Sequence, residues 1–182
     1  MNILFYRYGS ICEPDIIASF KHLGFNITED TREVYNKQLL PSDCIKGLNE
    51  LLKQDTYSFI FSINFFPSVS DVCNIWGIPY LCLIVDSPVL ELYSNSLANP
   101  CNRVFLFDKE LYREFHPVNP DCIFHIPLAA NVAVWDKVIN SAKGNEFRSD
   151  IAFVGSLYSE KCPFDNIRIS SPYNKGFIDG LI

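Results

Sequence analysis

Short apolar runs alternate with single amphipathic segments along most of this chain, and that rhythm restricts the fold more than any other feature. The clearest run is Leu81-Cys82-Leu83-Ile84-Val85, five consecutive apolar residues that read as a strand buried on both faces. It stops on Asp86-Ser87-Pro88. Strands are predicted at Asn2–Tyr6, Phe25–Thr28, Tyr57–Ile63, Pro79–Val85, Arg103–Phe107 and Cys122–Ile126.

The segments between them carry helical periodicity. Ser10–Leu23 places Ile16, Ile17, Phe20 and Leu23 on one face. Its start has the capping-box spacing Ser10-x-x-Glu13, or else Glu13 precedes a helix whose first residue is Pro14. Gly24 closes it. The polar Glu29–Gln38 stretch is a connection with room for a short edge strand at Glu33–Tyr35. Pro41 and Ser42 open a helix striped by Ile45, Leu48, Leu51 and Leu52. Pro67-Ser68-x-x-Asp71 caps the next, where Val69, Val72, Cys73 and Trp76 keep the rhythm and Gly77 ends it. Asp108 caps a helix bearing Leu111 and Phe115, which Pro117 stops.

Strands joined by single helices form right-handed βαβ units, hence a parallel sheet covered on both faces. The expected fold is α/β: a Rossmann-like three-layer α/β/α sandwich with a mostly parallel sheet. Its strand order is near 2-1-3-4-5, with the connections reversing between strands one and three. An added edge strand would give 3-2-1-4-5-6. Beyond Pro127 the pattern changes. Ala133–Glu146 is weakly helical and runs into the polar stretch Asn140–Asn145. Asp150–Ser156 then looks like a fresh strand ending in a glycine turn, with 26 residues after it. The division expected is 1–146 for the Rossmann-like domain. Residues 147–182 are a linker plus the first strand and turn of a truncated second domain, or a packing tail.

Composition narrows the partners. A hydrophobic fraction of 48% in 182 residues supports a packed core. With 15 basic and 21 acidic residues, a net charge of −6 and no Lys/Arg cluster, neither nucleic acid nor an anionic membrane is an expected partner. No apolar run suits a transmembrane segment, and Met1–Arg7 lacks the pattern of a signal peptide, so a cytoplasmic location is expected. Seven cysteines are an odd count without a C-x-x-C, and Cys73 and Cys82 read as buried thiols. His22, His116 and His125 are not spaced with them as metal ligands, and no metal site is expected.

In an open parallel sheet, ligands bind outside the carboxyl ends of the strands, where the connection direction reverses. That crevice is expected to be lined by Arg7-Tyr8-Gly9-Ser10, Asn64-Phe65-Phe66-Pro67 and Asp86-Ser87-Pro88. Asp86 is either a ligand-binding carboxylate or a turn former before Pro88. Ser10 reads first as a cap, and Gly9 lets a phosphate or sugar approach the backbone. His125 reads as a satisfied core histidine, and Asn131 as an edge hydrogen-bonding group or a turn residue. There is no G-x-G-x-x-G and no P-loop, which disfavours a classical NAD domain, an NTPase or an FMN enzyme. Spacing alone names no reaction.

Five segments in order carry a family resemblance: Phe61–Pro67 (FSINFFP), Gly77–Val89 (GIPYLCLIVDSPV), Phe105–Phe115 (FLFDKELYREF), Ile126–Val132 (IPLAANV) and Asp150–Tyr158 (DIAFVGSLY). Together they resemble the N-terminal region of CgeB-type, spore-maturation-like bacterial glycosyltransferases, and Pro172–Ile182 looks like the end of the same domain. The resemblance implies a GT-B architecture, two Rossmann-like domains facing across a cleft. The N-terminal domain supplies the acceptor side, and its own C-terminal domain holds most of the nucleotide-sugar donor site. Asn64, Asp86 and the Leu128–Asn131 loop would face that cleft; with the carboxyl-edge positions above, Gly9, Ser10, Asn64, Ser87, Ala130 and Asn131 are the expected substrate contacts and Asp86 the candidate base. Gly155 and Ser156 match a backbone turn against the donor diphosphate, although no basic residue follows before Lys161. No cofactor is implied beyond the nucleotide sugar as co-substrate. The acceptor would be a glycan or a protein, and the isolated domain is expected to transfer little sugar. The alternative is a non-catalytic flavodoxin- or receiver-like module that binds a small ligand or a protein.

Overall fold

The apolar runs become six strands in one all-parallel sheet of order β2-β1-β3-β4-β5-β6. This computed structural model describes residues 1–141, 149–151 and 171–180. The strands are β1 (Asn2–Tyr6), β2 (Asn26–Asp30), β3 (Ile60–Ile63), β4 (Tyr80–Ile84), β5 (Asn102–Leu106) and β6 (Ile123–His125). Among the described residues the helices are α1 (Glu13–His22), α2 (Arg32–Tyr35), α3 (Pro41–Gln54), α4 (Pro67–Trp76), α5 (Lys109–Phe115), α6 (Val132–Ser141) and α7 (Pro172–Asp179). The chain divides into two compact units, Met1–Ile139 and Asn140–Ile182. The first is the Rossmann-like α/β fold that the alternation predicts; in the second, the described helix is α7.

The strand order agrees with the expected 2-1-3-4-5, extended by β6. The edge strand envisaged at Glu33–Tyr35 is instead the short helix α2. The Asp30 side chain accepts from the Arg32 N–H at 3.3 Å and from Arg32 Nε at 2.8 Å, folding the chain back as soon as β2 ends. The two Ser-based caps also differ from expectation. The residue preceding α1 is Cys12 and that preceding α4 is Phe66, neither with a side-chain cap. The Asp108 cap is present, its carboxylate accepting from the N–H groups of Glu110 and Leu111. Gly24 and Gly77 take positive φ at the two helix ends assigned to them.

Side chains alternate across the sheet, and the two faces fill differently. One face gathers Leu4, Tyr6, Ile60, Cys82, Ile84 and Val104 under α3, α4 and α5. A buried polar set fixes its lower edge: Asn102 donates to the carbonyls of Ser96 and Leu97 at 2.9 and 3.1 Å and accepts from Ser70 Oγ at 2.7 Å. The other face holds Phe5, Ile17, Phe61 and Ile63, and among the described residues α1 alone contributes helical residues to it. Phe20 of α1 is the hub there, with ring centroids 5.1 to 6.5 Å from Phe5, Phe25, Phe59 and Phe61. The expectation that both faces are covered holds over β1 and β3. Farther along, Leu83 and Phe105 stay half-buried and Phe124 is 37% exposed, beside a shallow apolar cavity of about 280 Å³.

Candidate functional site

Three strand ends meet at one corner of the sheet, and Asn64 ties them together. It follows β3 directly and adopts φ +58°, a left-handed conformation that Asn tolerates better than most residues. Its amide donates to the Tyr8 hydroxyl at 2.9 Å and to Asp86 Oδ2 at 2.6 Å, while its Oδ1 accepts the Val85 N–H at 3.1 Å. Both amide hydrogens of Asn64 and its Oδ1 are therefore engaged with the loops after β1 and β4. Behind it, Ser62 Oγ lies 2.6 Å from the Tyr80 hydroxyl and donates to the Asn64 carbonyl at 2.7 Å. The same Tyr80 hydroxyl accepts the Phe66 N–H at 3.0 Å. The corner is buttressed from the buried face of the sheet.

The loop after β1 is fixed by Glu13, which the spacing read as part of a helix start. Glu13 is wholly buried, at 0% exposure. Its Oε1 accepts the N–H groups of Tyr8 and Gly9, each at 2.9 Å, and its Oε2 accepts Arg7 Nε at 2.8 Å. Arg7 also donates to Glu29 at 2.7 Å. The Glu13 carboxylate raises the Arg7 guanidinium above its ordinary value by holding the charged form. Glu13 is thus a loop anchor rather than half of a capping box. Gly9 takes φ +92°, a conformation open to glycine, and Lys37 donates to the Tyr8 carbonyl beside it.

Asp86 is exposed, and two cavities meet at it. The first, about 350 Å³, is lined on its polar side by Ser10, Asp15, Ser19, Asp86 and Asn131, with walls that include Ile11, Leu83 and Leu128. The second, about 400 Å³, is lined by Tyr8, Asn64, Phe66 and Asp86 together with the carboxylates of Glu33 and Glu91. Among the described residues, no Lys, Arg or His lines either cavity. Burial, reinforced by the Asp86 charge, pushes the Tyr8 phenol above its ordinary value, so it stays a neutral donor and acceptor.

The expected residues divide between these cavities. Ser10, Ala130 and Asn131 line the first, Asn64 the second, and Asp86 both. Asn131 donates to Asp15 Oδ1 at 2.8 Å, joining the loop before α6 to α1. Gly9 shares the rim but lines neither cavity. Ser87 turns toward the next loop and donates to Asp108 Oδ2 at 3.4 Å. Gly155 and Ser156 lie outside the described residues. His125 is not a core residue: it is exposed at the end of β6, with Nε2 3.2 Å from the Phe107 carbonyl. A three-residue strand at the sheet edge leaves it too little cover for burial. Cys73 and Cys82 are buried as expected, and burial raises both thiols far out of the reactive range. Asp15, Glu33 and Glu91 were not foreseen, because only the fold brings them to the same rim.

No protein-family model matches the chain, and the search of curated proteins finds no relative. The likeness to the CgeB-type family therefore rests on its five sequence segments. Among the described residues, no helix is long and apolar enough to cross a membrane.

Proposed function

We propose that Met1–Ile139 is the acceptor-side domain of a cytoplasmic GT-B glycosyltransferase, with the acceptor hydroxyl delivered to Asp86. The single observation that carries this reading is the placement of Asp86. It is an exposed carboxylate at the carboxyl edge of a parallel sheet, shared by two cavities and aimed by a 2.6 Å hydrogen bond from Asn64. In the transfer, the acceptor oxygen bonds to the anomeric carbon as the bond to the nucleotide diphosphate breaks. Asp86 takes the hydroxyl proton, and the diphosphate leaves with the bonding pair. The acidic linings suit an acceptor and repel a diphosphate, so this reading assigns donor binding to a C-terminal domain.

The test is sugar transfer by the protein as encoded, with any sequence that follows Ile182 in its reading frame, across a panel of nucleotide sugars. Wild type is expected to turn over one of them and Asp86→Asn to lose roughly 10²–10⁴-fold in rate. Absence of any turnover removes the transferase reading; a full rate in Asp86→Asn removes only the base assignment. A second reading has one observation in its favour. Strands β2-β1-β3-β4-β5 repeat the flavodoxin-like order, which suits a binding module using the same corner without catalysis.

A further inference from the structure

We infer that Glu13 is a specificity-determining residue that fills the anion cradle of the β1–α1 loop from within, so that the crevice beside it takes an uncharged polyhydroxyl ligand and excludes phosphate. The ligand class rests on the crevice described above as a binding site; the filled cradle does not.

In a βα unit, the loop entering the first helix presents backbone N–H groups and the positive end of a helix dipole, the usual seat of a phosphate. Here the donors at the base of that seat are already engaged. The Tyr8 and Gly9 amides and the Arg7 guanidinium all point at the Glu13 carboxylate, at 2.8 to 2.9 Å. The Cys12 N–H faces Ser10 Oγ at 3.4 Å, the Glu13 N–H donates to the Ser10 carbonyl at 3.2 Å, and Pro14 has none to offer. An incoming phosphate would have to displace a carboxylate tethered to the same helix, which competes at high effective concentration and is wholly buried. It would also approach Asp15 and Asp86, with no basic side chain among the described lining residues to offset them.

The same surroundings favour hydroxyl groups. Asn64 uses Oδ2 of Asp86 and Asn131 uses Oδ1 of Asp15, so each carboxylate is aimed. Among the described residues each keeps its second oxygen as an acceptor for a ligand O–H. Ile11, Leu83, Val85 and Leu128 offer apolar wall to the C–H face of a sugar ring. Carboxylate acceptors beside an apolar wall match a polyol and oppose an anion.

Backbone amide resonances of the ¹⁵N-labelled protein decide the matter, with inorganic phosphate and methyl α-glucopyranoside as the two probes. In wild type, phosphate is expected to leave Tyr8 and Gly9 unmoved, while the glycoside shifts Ser10, Asp86 and Asn131. A phosphate response at Tyr8 and Gly9 overturns the filled cradle; no glycoside response at the crevice overturns the ligand class. Glu13→Ala, checked for fold by circular dichroism, is expected to gain phosphate binding at Tyr8 and Gly9, tighter than wild type by about tenfold or more. A folded Glu13→Ala indifferent to phosphate overturns the inference. If that variant does not fold, Glu13→Gln serves the same purpose with a smaller gain, and the wild-type titrations decide in either case. Loss of sugar transfer in the earlier assay would leave the Tyr8 and Gly9 results standing, whereas a phosphate response here would leave the transfer assay untouched.

Discussion

On β4, Tyr80, Cys82 and Ile84 are sealed from solvent, whereas Leu81 and Leu83, one residue away on the opposite face, stay half open. The first set lies beneath α3, α4 and the 3₁₀ turns Leu90–Tyr93 and Asn95–Ala98, whose Leu48, Leu92 and Leu97 are buried in the same cluster. The second has α1 as its helical cover, and that cover is centred on the Phe20 rings over β1 and β3. The closed face holds the sheet together; the cavity bearing Asp15 and Asp86 opens on the other, where Leu83 and Val85 form part of its wall. That cavity opens where the helical layer thins out, whereas the second one is lined by Phe65, Phe66 and Val89 of the closed-face cluster.

Large-to-small substitution should measure that contrast most directly. Leu48→Ala empties a fully buried site between α3 and the sheet and is expected to cost about 3 kcal/mol in urea denaturation. Leu83→Ala removes a half-exposed side chain beside a cavity that already exists, so about 1 kcal/mol is expected. Equal losses would show that the open face is as tightly packed as the closed one, and the two-face description would fail.

Asn64 sits where the faces meet, since Tyr8 packs with the open-face cluster and Phe65 with the closed one. Asn64→Ala deletes three side-chain hydrogen bonds and leaves an ordinary residue at φ +58°, for an expected loss of about 2 kcal/mol. Asn64→Gly deletes the same bonds without the backbone strain and should lose about 1 kcal/mol. The difference sharpens the comparison by separating conformation from clamping. Should the two variants be equally stable, the left-handed backbone at residue 64 costs nothing.

The fold was readable because it depends on local patterns that agree with one another. β1 coincides with its predicted span, and glycines stop α1 and α4 where the periodicity ends. The carboxyl-edge position of Asn64 and Asp86 followed from the strand order, since topology alone decides which loops share a rim. What escaped were choices made by tertiary contacts. Ser10-x-x-Glu13 satisfies the capping-box spacing, yet the carboxylate turns back to Arg7 and to the Tyr8 and Gly9 amides. Spacing within a helix start does not encode what lies on the preceding strand end. Glu33 and Glu91, far apart in the chain, reach one cavity only through α2 and the loop after β4. The split of the expected site into two cavities is likewise a property of side-chain directions that no sequence interval carries. The Arg7–Glu13 pair did leave a trace, in charges of opposite sign flanking the glycine of a strand-to-helix loop.

The smallest effect expected concerns the rim of the closed face, where Asp108 caps α5 and so holds Leu111 and Phe115 against the sheet. Hydrogen bonds from the Leu111 and Glu110 amides depress the Asp108 carboxyl below its ordinary value. Since the folded-state value is lowered, the charged cap stabilises the fold above the ordinary aspartate range. That contribution disappears as pH falls through the depressed value. Asp108→Asn keeps a neutral capping oxygen without the titration. Wild type should therefore be slightly more stable than Asp108→Asn near neutrality, and the two urea midpoints should converge as pH falls from about 7 to about 3. Hydrogen exchange should place the difference in the α5 amides. A gap that persists at the acid end, or exchange that changes across the whole sheet, would mean that the closed face does not rely on this charge and that its edge is held by Leu111 and Phe115 alone.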